Sequence, residues 1–175
     1  MSVEHTPPLL AFVAASGTGK TTLLEQLIPL LRSHGLHLAV IKHTHHDFDI
    51  DQPGKDSYRL RAAGAQQVML ASRRRWALLT EHRDGRAEPC LEELVDALDR
   101  TALDLILVEG FKHEAVSKIE LHRPTLGKPP LFPQDPQIIA VACDTAPHIP
   151  TPLPLLDLND PPAIATFVLR HIGRQ

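Results

Sequence analysis

Apolar runs and helical-period stripes alternate along this chain, and the alternation predicts a layered α/β architecture. Residues 9–15 form an apolar run that breaks at Ser16 and Gly17, the pattern of a buried strand. Behind it Leu23, Leu24, Leu27, Ile28 and Leu31 recur at helical spacing and predict a helix over residues 19–32. Pro29 falls inside that helix and removes one backbone hydrogen bond; Gly35 ends it. Residues 36–41 are a second apolar run. Strand, helix and strand in so short a span make a βαβ unit, hence parallel strands with a right-handed crossover.

The pattern continues past a polar stretch. A short helix through Tyr58, Leu60 and Ala63 is predicted, capped by Asp56 or Ser57 and stopped by Gly64. Residues 67–71 and 76–80 read as strands around Ser72-Arg73-Arg74-Arg75, a hairpin. Residues 81–90 form a polar loop. Leu91, Leu94, Val95 and Leu98 fall on one helical face. Residues 103–108 are a third core strand, ended by Glu109-Gly110, and residues 118–122 alternate as a flanking strand would. Pro124, Pro129, Pro130, Pro133 and Pro136 stiffen the next loop. Residues 138–142 and 153–156 add two more strands. Asp160 caps a last helix with Pro161 in its first turn, and Ile164, Phe167, Val168, His171 and Ile172 share a face. The expected fold is α/β of the P-loop NTPase type: a mostly parallel sheet flanked by helices, with an added antiparallel hairpin. Residues 1–8 are expected to be a flexible tail and residues 9–175 a single nucleotide-binding domain.

The first strand-to-helix turn carries the chemistry. Ser16-Gly17-Thr18-Gly19-Lys20-Thr21-Thr22 is the back half of a phosphate-binding loop. Glycines let the backbone form a nest of inward N–H groups, and the helix N-terminus adds partial positive charge behind it. Lys20 supplies a full charge for the outer phosphates, and the Thr21 hydroxyl is a magnesium ligand. The general pattern places glycine where Ala14 stands, which is tolerable only if Ala14 keeps φ negative. Glu109 ends a hydrophobic strand, the place of the acid that meets Mg²⁺ directly or through water, or orients the attacking water. Lys20 and Glu109 are therefore the catalytic candidates; Ser16 through Thr22 bind nucleotide; Thr21, Glu109 and Asp47 are the metal candidates.

Three further groups carry open alternatives. The stretch His43-Thr44-His45-His46-Asp47-Phe48-Asp49-Ile50-Asp51 leaves the carboxyl end of a core strand, where open α/β sheets place ligands. Asp47, Asp49 or Asp51 can add a contact around Mg²⁺; the histidines can bind a transition metal; or the segment is a solvated loop. Arg59, Arg61 and Arg73 to Arg75 are either a basic patch for a phosphorylated partner or a solvated face. Asp144, after a strand, can accept from the N1 and N2 groups of guanine, which favours GTP over ATP.

Composition narrows the setting. A chain of 175 residues suits one domain with a real core. Its net charge of −3 gives no global attraction to nucleic acid or to anionic membrane. No apolar run approaches the ~20 residues of a membrane span. Cys90 and Cys143 are isolated and suit a reducing cytoplasm.

Three blocks together resemble one family: Ser16 to Leu24, Lys42 to Ala65, and Asp104 to Lys112. They are similar to MobB, the molybdopterin-guanine dinucleotide biosynthesis adaptor proteins. The resemblance spans roughly residues 9–172, and its two later blocks are far more specific than the phosphate loop. It implies a GTP-binding protein with Mg²⁺ and weak intrinsic GTPase activity. It implies a homodimer joined through extended sheet, and partnership with the guanylyltransferase that attaches GMP to the molybdopterin cofactor, molybdopterin itself being a further candidate partner. By matching position, Gly17, Gly19, Lys20, Thr21 and Thr22 carry over as nucleotide contacts and Glu109 as the acid near magnesium. A small-molecule kinase with the same loop, or a metal-delivery GTPase using the histidine stretch, are the competing expectations.

Overall fold

In the computed structural model the described residues are 6–44, 48–82, 85 and 88–174. The chain divides into two compact units, residues 1–43 with 91–175, and residues 44–90; the expected span 9–175 contains both.

The larger unit is built on β1 (Leu9–Ala14), β2 (Leu38–Lys42), β5 (Leu105–Glu109), β6 (Lys118–His122), β7 (Ile138–Cys143) and β8 (Leu155–Asp157). They form one sheet in the order β2-β5-β1-β6-β7-β8, and each neighbouring pair is parallel. Parallel strands carry helices or loops on both faces, so their residues are apolar in both directions. In β1, Leu10 and Phe12 join one core, with Leu23, Leu24, Leu27 and Leu31 of α1 (Lys20–Ser33) and Ile164, Ala165 and Val168 of α4 (Pro161–His171). Ala11 and Val13 join the other, with Leu91 and Val95 of α3 (Leu91–Asp96). Pro29 is accommodated on the exposed side of α1. The Pro8 carbonyl accepts from Ile106 N–H at 2.9 Å and Pro7 is buried, so the chain is anchored before β1 begins.

Two readings of the pattern change. The alternating segment β6 is not a flanking strand. It lies inside the sheet between β1 and β7, and Lys118, Glu120 and His122 are buried. Lys118 and Glu120 enter because partners come with them. The Lys118 ammonium donates to Asp135 at 2.7 Å, and the Glu120 carboxylate accepts from the N–H groups of Leu131 and Phe132 at 2.7 and 2.8 Å. The proline-rich loop is thereby pinned to the strand. The buried face of α4 is wider than expected: Ile164 and Val168 are buried and Phe167 and Ile172 pack part-buried, but Ala165 and Leu169 also go in, while His171 stays out. The helix packs on α1 as well as on β8, and small Ala165 permits that second contact. Its cap is as expected, with Asp160 accepting from Ala163 N–H at 3.1 Å.

The smaller unit holds α2 (Asp56–Ala62) and the antiparallel hairpin of β3 (Gln67–Ala71) and β4 (Trp76–Thr80). Lys55, not Asp56 or Ser57, is the N-cap of α2; Asp56 stands in the first turn, where its charge suits the helix dipole. Arg61 pairs with Asp49 and Glu81 at 2.6 and 2.8 Å, and Asp51 accepts from the Ser57 hydroxyl at 2.8 Å. Met69, Trp76 and Leu78 share one exposed hairpin face.

Candidate nucleotide site

The site forms where β1, β5 and β2 end side by side. In register, Phe12 faces Glu109 on β5, and Glu109 faces Lys42 on β2. The strand bearing the acid therefore lies directly beside the strand that feeds the phosphate loop, and their carboxyl ends open the same way.

The loop leaves β1 at Ala14. Among the described residues Phe111 is the one non-glycine with positive φ, so Ala14 keeps the backbone that an alanine tolerates. Gly17 and Gly19 turn the chain with φ of 80° and 101°, values that favour glycine. Thr18, buried between them, closes the turn by donating to the Ala15 carbonyl at 2.7 Å. Gly19 is the N-cap of α1 and has no side-chain oxygen to offer. The N–H groups of the first helical turn are thus left for a ligand, and an anion is the ligand they suit. Among the described residues the Lys20 ammonium has one long hydrogen bond, 3.5 Å to the Ala14 carbonyl, so its charge arches over the loop. Ser16, Gly17, Thr21 and Thr22 are exposed around the same turn.

Glu109 meets this loop from β5. The Thr21 hydroxyl donates to its Oε1 at 3.0 Å. The Lys42 ammonium lies 3.2 Å from Glu109 Oε2 and donates to Thr21 Oγ1 at 3.3 Å. A hydroxyl and a carboxylate are hard oxygen donors of the kind Mg²⁺ takes. A cation, the lysine's, already bridges them, so the donor set fits the metal that the loop implies. Thr21 and Glu109 would hold it, and it would neutralise phosphate charge there.

The turn after Glu109 is tightly fixed. Gly110 has φ 99°, and a Cβ there would stand 3.0 Å from His43 Cβ, so both backbone and space require glycine. Phe111 follows at φ 52° and stacks on the His43 ring, 4.6 Å between centroids. His43 N–H donates to the Glu109 carbonyl at 2.9 Å. These contacts hold the acid at the height of Thr21.

On the far side Arg123, just past β6, reaches back to the loop. Its Nε donates to the Thr18 carbonyl at 3.0 Å and its Nη1 to Asp144 Oδ2 at 2.7 Å. The guanidinium holds the Asp144 carboxyl below the usual carboxylate range. The candidate guanine reader is therefore tied to the phosphate loop by one side chain.

The structure brings Ser16 through Thr22 and Glu109 together, with Asp144 joined through Arg123. Asp47, His45 and His46 lie outside the described residues. In the smaller unit Arg61 is charge-paired with Asp49 and Glu81, and Asp51 accepts from the Ser57 hydroxyl. Among the described residues no cluster of three or more His, Cys, Asp or Glu side chains forms a transition-metal site. Lys42 and Arg123 went unassigned in the sequence. Lys42 had no signal, because it meets Glu109 only once β2 and β5 are known to be neighbours. Arg123 had none once β6 was taken for a flanking strand.

The chain matches known proteins over most of its length. Residues 9–144 match the family model for MobB, molybdopterin guanine dinucleotide synthesis protein B. The molybdopterin-guanine dinucleotide biosynthesis adapter protein of Escherichia coli K12 is 52% identical over 96% of this chain and 95% of its own. That of Haemophilus influenzae is 46% identical over 92% of this chain and 87% of its own. A crystal structure of molybdopterin-guanine biosynthesis protein B superposes with a TM-score of 0.72 at 25% identity, covering 93% of this chain and 99% of that one. Bacillus subtilis MobB has the same fold, with a TM-score of 0.70 at 22% identity over 93% and 96% of the two chains. By the extent of the sequence match, this chain belongs to the MobB family.

Proposed function

We propose that this chain is a GTP-binding adapter in molybdopterin guanine dinucleotide synthesis. In this reading it serves the guanylyltransferase that joins GMP to the molybdopterin cofactor, presents bound GTP with Mg²⁺, and hydrolyses it slowly. The observation that carries the nucleotide part is the Thr21–Glu109 contact of 3.0 Å at the mouth of an anion-binding helix turn. The loop N–H groups and Lys20 hold the phosphates, Thr21 and Glu109 hold the metal, and Glu109 orients water for attack. The adapter part rests on the relatives named above. Guanine over adenine rests on Asp144, a carboxylate at a strand end that takes bonds from Arg123 and Thr145 and would accept from the base N–H groups. The exposed Met69, Trp76 and Leu78 face supports a second copy as partner, since a two-stranded hairpin is marginal alone. A cytoplasmic setting suits both GTP and the free thiols.

Calorimetric titration with GTP and ATP in Mg²⁺ tests the reading. Tighter binding of GTP supports it; equal binding rejects Asp144 as reader, and no binding rejects the nucleotide role. Glu109→Gln is expected to bind GTP and to lose hydrolysis. Turnover at the wild-type rate would remove Glu109 from the chemistry.

A further inference from the structure

The Thr21 hydroxyl has one hydrogen and two lone pairs. Its hydrogen goes to Glu109 Oε1, and one lone pair accepts from the Lys42 ammonium at 3.3 Å. A metal ion shared by Thr21 and Glu109 would meet this ammonium at the same pair of oxygens. The same ammonium lies 3.2 Å from the other Glu109 oxygen, so a single cation bridges both hard donors of the site. Glu109 is buried, at 8% exposure, and an ionised carboxylate there needs a counter-charge. Lys42 can leave without unfolding anything. Its side chain is half exposed, at 52%, and lysine is a mobile point charge on a flexible stem.

We infer that Lys42 is the counter-cation of Thr21 and Glu109, holding the position between them that Mg²⁺ would take, so that metal and lysine compete. The inference rests on the nucleotide reading above for its physiological setting, and on the Lys42–Thr21–Glu109 geometry for its substance. Loading then requires the lysine to swing out, and its contact holds the Glu109 side chain in place until the metal arrives. Lys42 is a positioning residue that sets how much Mg²⁺ the site demands.

The test uses the full chain and two uncharged variants, Lys42→Gln and Lys42→Met, the second keeping a long apolar stem. Fluorescent GTP is titrated at rising Mg²⁺. The Mg²⁺ concentration for half-maximal binding is expected to fall roughly tenfold in both variants. An equal or higher midpoint overturns the competition and makes Lys42 a phosphate ligand or a bystander. A second arm needs no nucleotide. Mg²⁺ alone is expected to raise the melting temperature of each variant by roughly 2–4 °C more than it raises that of the wild type. Equal shifts overturn the proposal. If wild-type protein binds no GTP while this second arm responds, the nucleotide reading falls and the lysine–metal competition stands.

Discussion

Two sets of polar groups sit in the same parallel sheet and are treated in opposite ways. At the carboxyl ends of β1, β2 and β5, the charges are exchangeable. Lys20 holds one long contact, Lys42 is half exposed, and the helix N–H groups face outward. Along β6 the charges are consumed. Lys118 is paired with Asp135, and both Glu120 oxygens are taken by the N–H groups of Leu131 and Phe132. The first set is organised for a ligand, the second for the protein itself. Breaking the second should therefore cost stability, and breaking the first should cost binding.

The largest effect is expected at Asp135. Asp135→Ala leaves the Lys118 ammonium buried with its partner gone, which costs about 3 kcal/mol of folding stability. Urea denaturation reads this as a lower midpoint, while the folded fraction keeps its GTP affinity. Lost binding at constant stability would place Asp135 in the site and erase the contrast. Lys20→Ala is the mirror experiment. Removing the charge over the loop is expected to weaken GTP roughly 100-fold, about 2.7 kcal/mol, with the urea midpoint nearly fixed. Equal affinities for variant and wild type would show that the loop does not grip phosphate.

Arg123 lies between the two sets, since it leaves β6 and ends on the phosphate loop. Arg123→Ala removes the bond to the Thr18 carbonyl and frees Asp144. GTP and ATP are both expected to weaken about tenfold, because the loop and not the base loses support. Asp144→Asn sharpens this: it should weaken GTP and spare ATP. A parallel loss for both nucleotides would make Asp144 an anchor for Arg123 and nothing more.

The same contrast explains what the sequence disclosed. Gly17, Gly19, Lys20 and Thr21 are adjacent in the chain, and their chemistry follows from local backbone geometry, so the cradle was legible at once. Glu109 was legible because an apolar strand ended in an acid. Lys42 and Arg123 act through partners 67 and 105 residues away in sequence, Glu109 and Thr18, and such pairings appear only when strand order is known. The reading of β6 failed for a related reason. Alternation of polar and apolar residues normally marks a strand with one wet face. Lys118 and Glu120 satisfy their charges instead with Asp135 and the 131–132 backbone, which periodicity cannot foresee. Asp160 and Pro161 place helix α4, and Ile164, Phe167, Val168 and Ile172 pack as its pattern indicates; Ala165 and Leu169 escape the pattern because the second packing partner, α1, is not visible in it.

The smallest effect is a matter of pH. Burial raises the Glu120 carboxyl above its usual value of 4.5, against the lowering influence of the Leu131 and Phe132 N–H groups. A carboxyl whose folded value exceeds the unfolded one binds more protons in the native state within that window. Its contribution to stability is therefore fully present below about 4.5 and is lost as pH rises through the folded value. This runs opposite to the paired surface carboxylates, such as Asp104 and Asp144, whose lowered values stabilise at neutral pH and fail in acid. Glu120→Gln keeps one acceptor for the loop and has nothing to titrate. The difference in stability between wild type and Glu120→Gln, from urea midpoints at a series of pH values above 4.5, is expected to move against the wild type as pH rises and then level off. A difference that moves the other way would mean the two N–H bonds outweigh burial, and that the β6 carboxylate is held as a stabilised anion.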